Sequence, residues 1–276
     1  MLEASCPTVG IYLLKKLTSI LFPLVTHLKS ISARQQGKLL NVALLLVGLC
    51  LWFPPSVVSA QDALKIGELR VGKVLFLGNS ITLHGPAPEI GWTGDWGMAA
   101  SAREKDYVHL LLGHITKAAG KEPQVKVRNI ADFERQLSQY KIEDGLKAEL
   151  AFEADLIILA IGENSSAPTS EAAKKEFLAA NKELMTRLTK MGKPKLIVRS
   201  QFWPDPVKDG LLQEACKEAG GTFVNIAKLG ADPTNAAKSE RQIEHAGVGG
   251  HPGDKGMAAI ADALWDAIQK EAKSKK

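Results

Sequence analysis

Three short blocks hold residue types that could do chemistry together. Gly78-Asn79-Ser80-Ile81-Thr82 follows an apolar run. A serine at a strand-to-helix turn can present its hydroxyl at the lip of a sheet, where backbone N–H groups receive a developing negative charge. Gly162-Glu163-Asn164-Ser165 follows a second apolar run, and an Asn amide there could donate to the same oxyanion. His251-Pro252-Gly253-Asp254 precedes the last amphipathic stretch, and a His in such a loop can serve as a general base. Taken singly, each has a plainer reading. Small polar residues are ordinary helix caps, and a lone His is more often structural.

The elements that would position these blocks are legible as periodicities. Short apolar runs predict strands over 73–77, 124–130, 155–161, 195–199 and 222–226. Apolar residues at helical spacing predict helices over 106–119, 171–191, 207–219 and 256–272, with a partly helical stretch over 133–151. Gly120, Gly192 with Pro194, and Gly220-Gly221 stop three of the helices. Apolar strands alternating with amphipathic helices imply an α/β fold, a three-layer α/β/α sandwich on a parallel sheet of about five strands. Such sheets bind ligands at the carboxyl ends of their strands. The Ser80 and Asn164 blocks fall just after strands.

Composition sets bounds. The chain has 276 residues, 45% hydrophobic and 24% charged, which excludes collagen-like and wholly disordered classes. The net charge of +5 at pH 7 sits mostly in residues 1–60, which contribute +4. Residues 61–276 are near neutral, which gives no case for a nucleic-acid partner. Residues 39–53 read LLNVALLLVGLCLWF behind Arg34 and Lys38, and Val58-Ser59-Ala60 supplies small residues. A spanning helix needs about 20 apolar residues, so these fifteen positions, interrupted only by Asn41 and Gly48, fit a signal peptide better. The expected division is an export signal over 1–60, cleaved after Ala60, and one domain over 61–276. That implies a periplasmic or secreted protein with no stable membrane embedding. An uncleaved single-span anchor is the alternative. The stretch before Arg34 is long for a signal, which fits an over-called gene start. Cys216 alone lies beyond the signal, on an apolar helical face, and reads as a core thiol.

The combination of blocks resembles the SGNH hydrolase superfamily, the GDSL esterases and lipases. The resemblance rests on VLFLGNSIT (residues 74–82), AIGEN (160–164) and GGHPGDKGMAAIADAL (249–264), and it covers residues 69 to 268. It implies Ser80 as nucleophile, His251 as base, and Asn164 with the Ser80 N–H as oxyanion donors. It implies no cofactor, and no set of Cys, His and carboxylate spacings suggests a metal.

Two positions depart from the family pattern. The family's second block usually carries a Gly after the second strand. Here the segment is Asn129-Ile130-Ala131-Asp132, and Ala131 is left to offer its N–H. The family's Asp three residues before the His is Val248 here. Glu244, Glu163 or a backbone carbonyl are the alternatives for orienting His251.

The 84–98 loop, HGPAPEIGWTGDWGM, is too rich in Gly and Pro for a regular helix. It is expected to overhang Ser80, with Trp92 and Trp96 as an aromatic platform; filling a small satellite core is the alternative. Trp203 is expected at the same rim. The resemblance implies a serine esterase acting on a small-molecule or glycan ester; the export signal, the aromatic rim and the absence of a lid-like apolar helix favour a carbohydrate O-acyl group. A lipid or thioester hydrolase is one alternative. A glycan-binding module that has lost turnover is another, favoured by Val248 and the missing Gly.

Overall fold

The computed structural model describes residues 64–190 and 192–274. The expected signal segment lies outside the described residues. A two-stranded antiparallel hairpin, β1 (Lys65–Ile66) and β2 (Leu69–Arg70), leads into a five-stranded sheet. Its strands are β3 (Lys73–Gly78), β4 (Gln124–Asn129), β5 (Leu156–Ala160), β6 (Lys195–Arg199) and β7 (Thr222–Val224). All pair in parallel, in the order β4-β3-β5-β6-β7. The five longer helices are α1 (Tyr107–Ala119), α2 (Ala131–Gln136), α3 (Glu171–Lys190), α4 (Pro206–Glu218) and α5 (Asp254–Lys273).

The alternation of side chains along β3 and β5 builds the layers. Val74, Phe76, Leu156 and Ile158 pack with Leu111 and Ile115 of α1 and Ile260 and Leu264 of α5. Leu75, Leu77, Ile157 and Leu159 face the other way, onto Phe177 and Leu184 of α3 and Leu212 of α4. Strands buried on both faces read as unbroken apolar runs, which is why 73–77 and 155–161 stood out. Cys216 is buried in the second layer, and burial pushes its thiol up to about 11.

Local chemistry sets the helix ends. Asp106 caps α1 by accepting from the His109 N–H. Pro206 opens α4 behind Asp205, which accepts from the Val207 and Lys208 N–H groups. The structure differs from expectation over 133–151. There α2 ends at Leu137, whose φ is +48°, and the chain continues in single turns at Ile142–Gly145 and Lys147–Leu150. A left-handed residue interrupts the helical ladder, and the apolar spacing alone does not reveal it.

Register decides where the loops emerge. Gly78 pairs with Asn129 on one side and Ala160 on the other. The chains leaving β3, β4 and β5 therefore start level with each other, at the point where the strand order reverses.

Gly78 itself is demanded by close approach. A Cβ there would fall onto Thr82 Oγ1 and lie 2.9 Å from the Ala160 carbonyl oxygen. Gly78→Ala should therefore lower stability by about 1–3 kcal/mol, as overpacking does, measured as a fall in the urea midpoint at unchanged slope.

Candidate active site

Asn79 builds the turn that carries Ser80. Its carbonyl accepts from the N–H groups of Thr82 at 2.9 Å and Leu83 at 3.0 Å. Its side-chain oxygen accepts from the Ile81 N–H at 3.2 Å. Both amide hydrogens of Nδ2 are spent on buried carboxylates, Glu134 Oε1 at 3.0 Å and Glu163 Oε2 at 2.7 Å. The Ser80 N–H has no partner among the described residues, while the Met98 N–H donates to the Ser80 carbonyl. The Ser80 side chain is half-buried at the mouth of this turn.

His251 comes to it from the far end of the chain. Ser80 Oγ and His251 Nε2 are 2.8 Å apart. Nδ1 lies 2.7 Å from the Gly247 carbonyl oxygen. A carbonyl only accepts, so Nδ1 carries the hydrogen and Nε2 is left to accept from the Ser80 hydroxyl. Burial pushes His251 below its ordinary value of 6.5, against the opposing pull of the Gly247 carbonyl and the Glu163 charge. The imidazole is therefore neutral at pH 7, the form a base requires.

Neither carboxylate expected to orient His251 is bonded to it. Glu244 is exposed. Glu163 turns inward, where it accepts from Arg199 Nη1 at 2.6 Å, the Phe202 N–H at 3.0 Å and Asn79. The partner of Nδ1 is a backbone carbonyl because of one helical turn, Ala246–Gly249. His245 caps that turn, its Nδ1 accepting from the Val248 N–H at 3.3 Å. The turn points the Gly247 carbonyl at His251 and buries Val248 among Ala87, Trp92 and Met98.

Asn164, the expected oxyanion donor, lies on the loop after β5. Gly162 has φ +118°, and a Cβ there would lie 2.9 Å from Gln201 Cγ, so only glycine makes the bend. Asn164 Oδ1 accepts from Arg135 Nη2 at 3.2 Å, and its Nδ2 reaches Glu134 Oε2 at a long 3.4 Å. One Nδ2 hydrogen keeps no partner among the described residues. The Ala131 N–H is already engaged, donating to Asn129 Oδ1 at 2.9 Å. Its expected role as a third oxyanion donor does not fit that bond.

The sequence reading missed Glu134 and Arg199. Glu134 is buried on α2 and accepts the Gly162 N–H at 2.9 Å and the Asn164 N–H at 2.7 Å. Burial and the Glu163 charge push its carboxyl up to about 7. Arg199 is fully buried at the end of β6 and pairs with Glu163. Burial works against the Glu163 charge too, but Arg199 outweighs it and the carboxyl is lowered. A signal existed in both cases. Glu134 lies four residues after Ile130 and three before Leu137, on an apolar helical stripe, and Arg199 ends an apolar strand run.

The aromatic rim differs from expectation. Trp203 is 40% exposed and stands edge-on to His251, with ring centroids 5.0 Å apart. Trp92 is buried, donates from Nε1 to the His84 carbonyl, and meets Trp96 edge-to-face at 5.5 Å. The loop closes on itself through bridges His84–Trp96 and Ala87–Trp92. Trp92, Trp96 and Glu244 line a separate cavity of about 890 Å³, whose walls do not include Ser80 or His251. Burying large rings within the loop's own small core outweighs displaying them to solvent. Among the described residues no three His, Cys, Asp or Glu side chains gather as a metal site. No helix among them is long and apolar enough to cross a membrane.

Two outcomes follow from this geometry. The His251 ring resonances should titrate with a midpoint below 6.5, measured by NMR with Ser80→Ala as the unperturbed-fold control. Val248→Asp should not supply a missing acid, because position 248 faces the loop core. It should cost about 3 kcal/mol or more by burying an unpaired carboxylate, read as a lowered denaturation midpoint with no gain in hydrolysis.

No protein-family model matches the sequence, and no curated protein matches it. Solved structures do align. A protein from Parabacteroides merdae ATCC 43184 named as a GDSL-like lipase has TM-score 0.46 and 16% identity, over 75% of this chain and 99% of that chain. A second of that name, from Bacteroides uniformis ATCC 8492, has TM-score 0.48 and 13% identity, over 73% of this chain and 97% of that one. A family two carbohydrate esterase from Cellvibrio japonicus has TM-score 0.44 and 16% identity, over 72% of this chain and 61% of that one. Alignments this distant leave the activity of this chain to be argued from its own site. In fold, the chain is similar to these three proteins.

Proposed function

We propose that the chain is a serine esterase of SGNH type. The observation that carries this reading is the Ser80 Oγ–His251 Nε2 contact of 2.8 Å, with the tautomer fixed by the Gly247 carbonyl. As an ester binds, Ser80 Oγ attacks the carbonyl carbon and its proton passes to Nε2. The carbonyl oxygen becomes an oxyanion held by the Ser80 N–H and the free Asn164 amide hydrogen. Collapse breaks the bond to the alkoxy group, which takes the proton from Nε2 and leaves as an alcohol. Water then attacks the acyl-Ser80, gives its proton to Nε2, and releases the carboxylic acid as the proton returns to Ser80. No cofactor enters these steps.

A carbonyl in place of the acid holds the ring but stabilises the imidazolium less than a carboxylate does. The dyad therefore leans more heavily on its oxyanion donors.

For substrate, the reading is a carbohydrate O-acyl ester with a short acyl group. The half-exposed Trp203 ring beside His251 supports it, since an exposed aromatic ring next to the base offers apolar surface for a sugar ring to pack on. A steep preference for acetyl over longer acyl esters would favour this reading, and the reverse order would favour a lipid or thioester substrate. A second reading is a glycan-binding module without turnover. The engaged Ala131 N–H and the carbonyl-oriented His251 favour it.

The test is hydrolysis of 4-nitrophenyl acetate and acetylated sugars by residues 61–276. Ser80→Ala and His251→Ala should each lose at least about 10³-fold in kcat, and a fluorophosphonate should label wild type but not Ser80→Ala. Equal background rates in all three proteins, with glycan binding retained, would replace the esterase reading by the binding module.

A further inference from the structure

Below the candidate site lies a cluster of ionisable groups that the acyl-transfer steps do not use. Glu134 is its centre. Oε1 accepts from Asn79 Nδ2, and Oε2 accepts from the N–H groups of Gly162 and Asn164. The Glu134 carbonyl accepts from Ser165 Oγ at 2.8 Å. One residue on α2 thus grips the turn that carries the nucleophile and the loop that carries the oxyanion amide.

Every one of those contacts asks Glu134 to accept. A carboxylate has lone pairs for all of them, whereas a protonated acid must present one O–H as a donor. Oε2 faces two backbone N–H groups, which cannot turn away. Oε1 faces Asn79 Nδ2, whose other hydrogen is held by Glu163 and whose oxygen is held by the Ile81 N–H. A proton on Oε2 therefore displaces a backbone donor, and one on Oε1 adds an O–H that none of these donor groups can accept. We propose that Glu134 is a positioning residue that couples the Ser80 turn to the Asn164 loop, and that it does so only as the carboxylate. This rests on the serine-esterase reading for its consequence in turnover, but not for the coupling itself.

The charges around Glu134 make its ionisation sensitive to pH. Glu163, on the loop after β5, repels it, and Arg199 on β6 attracts it but is already paired to Glu163 at 2.6 Å. From α4, the buried Lys208 ammonium donates to the carbonyls of Gly162 at 2.9 Å and Ser165 at 3.0 Å, so it clamps the same loop without reaching Glu134. Arg135, next in sequence, is spent on Asn164 Oδ1. Two buried carboxylates thus share one buried guanidinium, and the pair relieves its excess charge when Glu134 takes a proton at about 7. The cluster also explains why position 79 carries an amide and not a carboxylate. A third carboxylate between Glu134 and Glu163 would have no donor to offer either.

The test has one arm that needs no turnover. In ¹⁵N-labelled protein, the amide resonances of Gly162 and Asn164 and the Asn79 side-chain amide should shift together between pH 5 and 9. They should share a midpoint near 7, and that shared shift should be absent in Glu134→Gln. The amide of that variant can present only one oxygen and must release either Asn79 or the two backbone N–H groups. In the second arm, kcat of Glu134→Gln at pH 8 should fall about 10- to 100-fold, as expected of misplaced reacting groups, with KM little changed. The acid limb of kcat/KM should move from near 7 in wild type to the His251 ionisation below 6.5. Amides that do not titrate together in wild type would overturn the proposal, as would a Glu134→Gln enzyme with wild-type kcat. An inactive wild type whose amides titrate together would sink the esterase reading and leave the coupling standing.

Discussion

The arrangement at the strand ends depends on keeping a buried arginine neutralised. Arg199 is fully buried at the end of β6, and a guanidinium there is tolerable only beside an opposite charge with good geometry. Glu163 provides that charge at 2.6 Å from Nη1, while Nε and Nη2 keep no hydrogen-bond partner among the described residues, and Glu163 is itself buried by doing so. Once inside, the Glu163 carboxylate must satisfy its other lone pairs, and it takes the Phe202 N–H and the Asn79 amide. Asn79 is thereby drawn to a fixed position, and Ser80 follows it. The ends of β3, β5 and β6 are joined by this one chain of charge and hydrogen bonds, which ordinary apolar packing could not aim so narrowly.

The histidine that meets the Ser80 hydroxyl is held differently. His251 is placed by packing and by a single helical turn. Val248 anchors that turn in a small apolar cluster with Trp92, and the Gly247 carbonyl results as the partner of Nδ1. The tryptophan loop is consequently a structural support for the histidine segment more than a display surface. Trp203 remains as the aromatic group that meets both solvent and the imidazole.

The two buried glutamates pull stability in opposite directions. Glu134 has its carboxyl raised from 4.5 to about 7, so the folded chain binds that proton more tightly than the unfolded chain does. Its contribution is full below the ordinary carboxylate range and is lost as pH rises through 7. Glu163 is lowered, so its contribution is present above the ordinary range and is lost in acid. The ionised Glu134 that accepts every donor is therefore the less stable form of the fold. A site that holds strain or charge at some cost to stability is a common compromise between function and folding.

Much of the architecture can be read from residue order. The runs at 73–77 and 155–161 are apolar because those strands are covered on both faces, and the helices of α1, α3, α4 and α5 show their buried stripes directly. Ser80, Asn164 and His251 stand out because they follow or precede those elements at short range. Periodicity gave no warning at Leu137, where one left-handed residue ends α2. What only the tertiary structure decided were relations between residues far apart in the chain. The partner of His251 Nδ1 is a backbone carbonyl, and every residue has one, so no side-chain pattern announces it. Whether Trp92 faces solvent or the loop core depends on how residues 84–98 close upon themselves. Glu134 and Arg199 lie 65 positions apart and 55 and 120 from Asn79, and only the level ends of parallel strands bring their charges together. Local spacing reports which face a residue takes, because helix and strand periods are local. Partners across a sheet are fixed by strand order and register, which are properties of the whole fold.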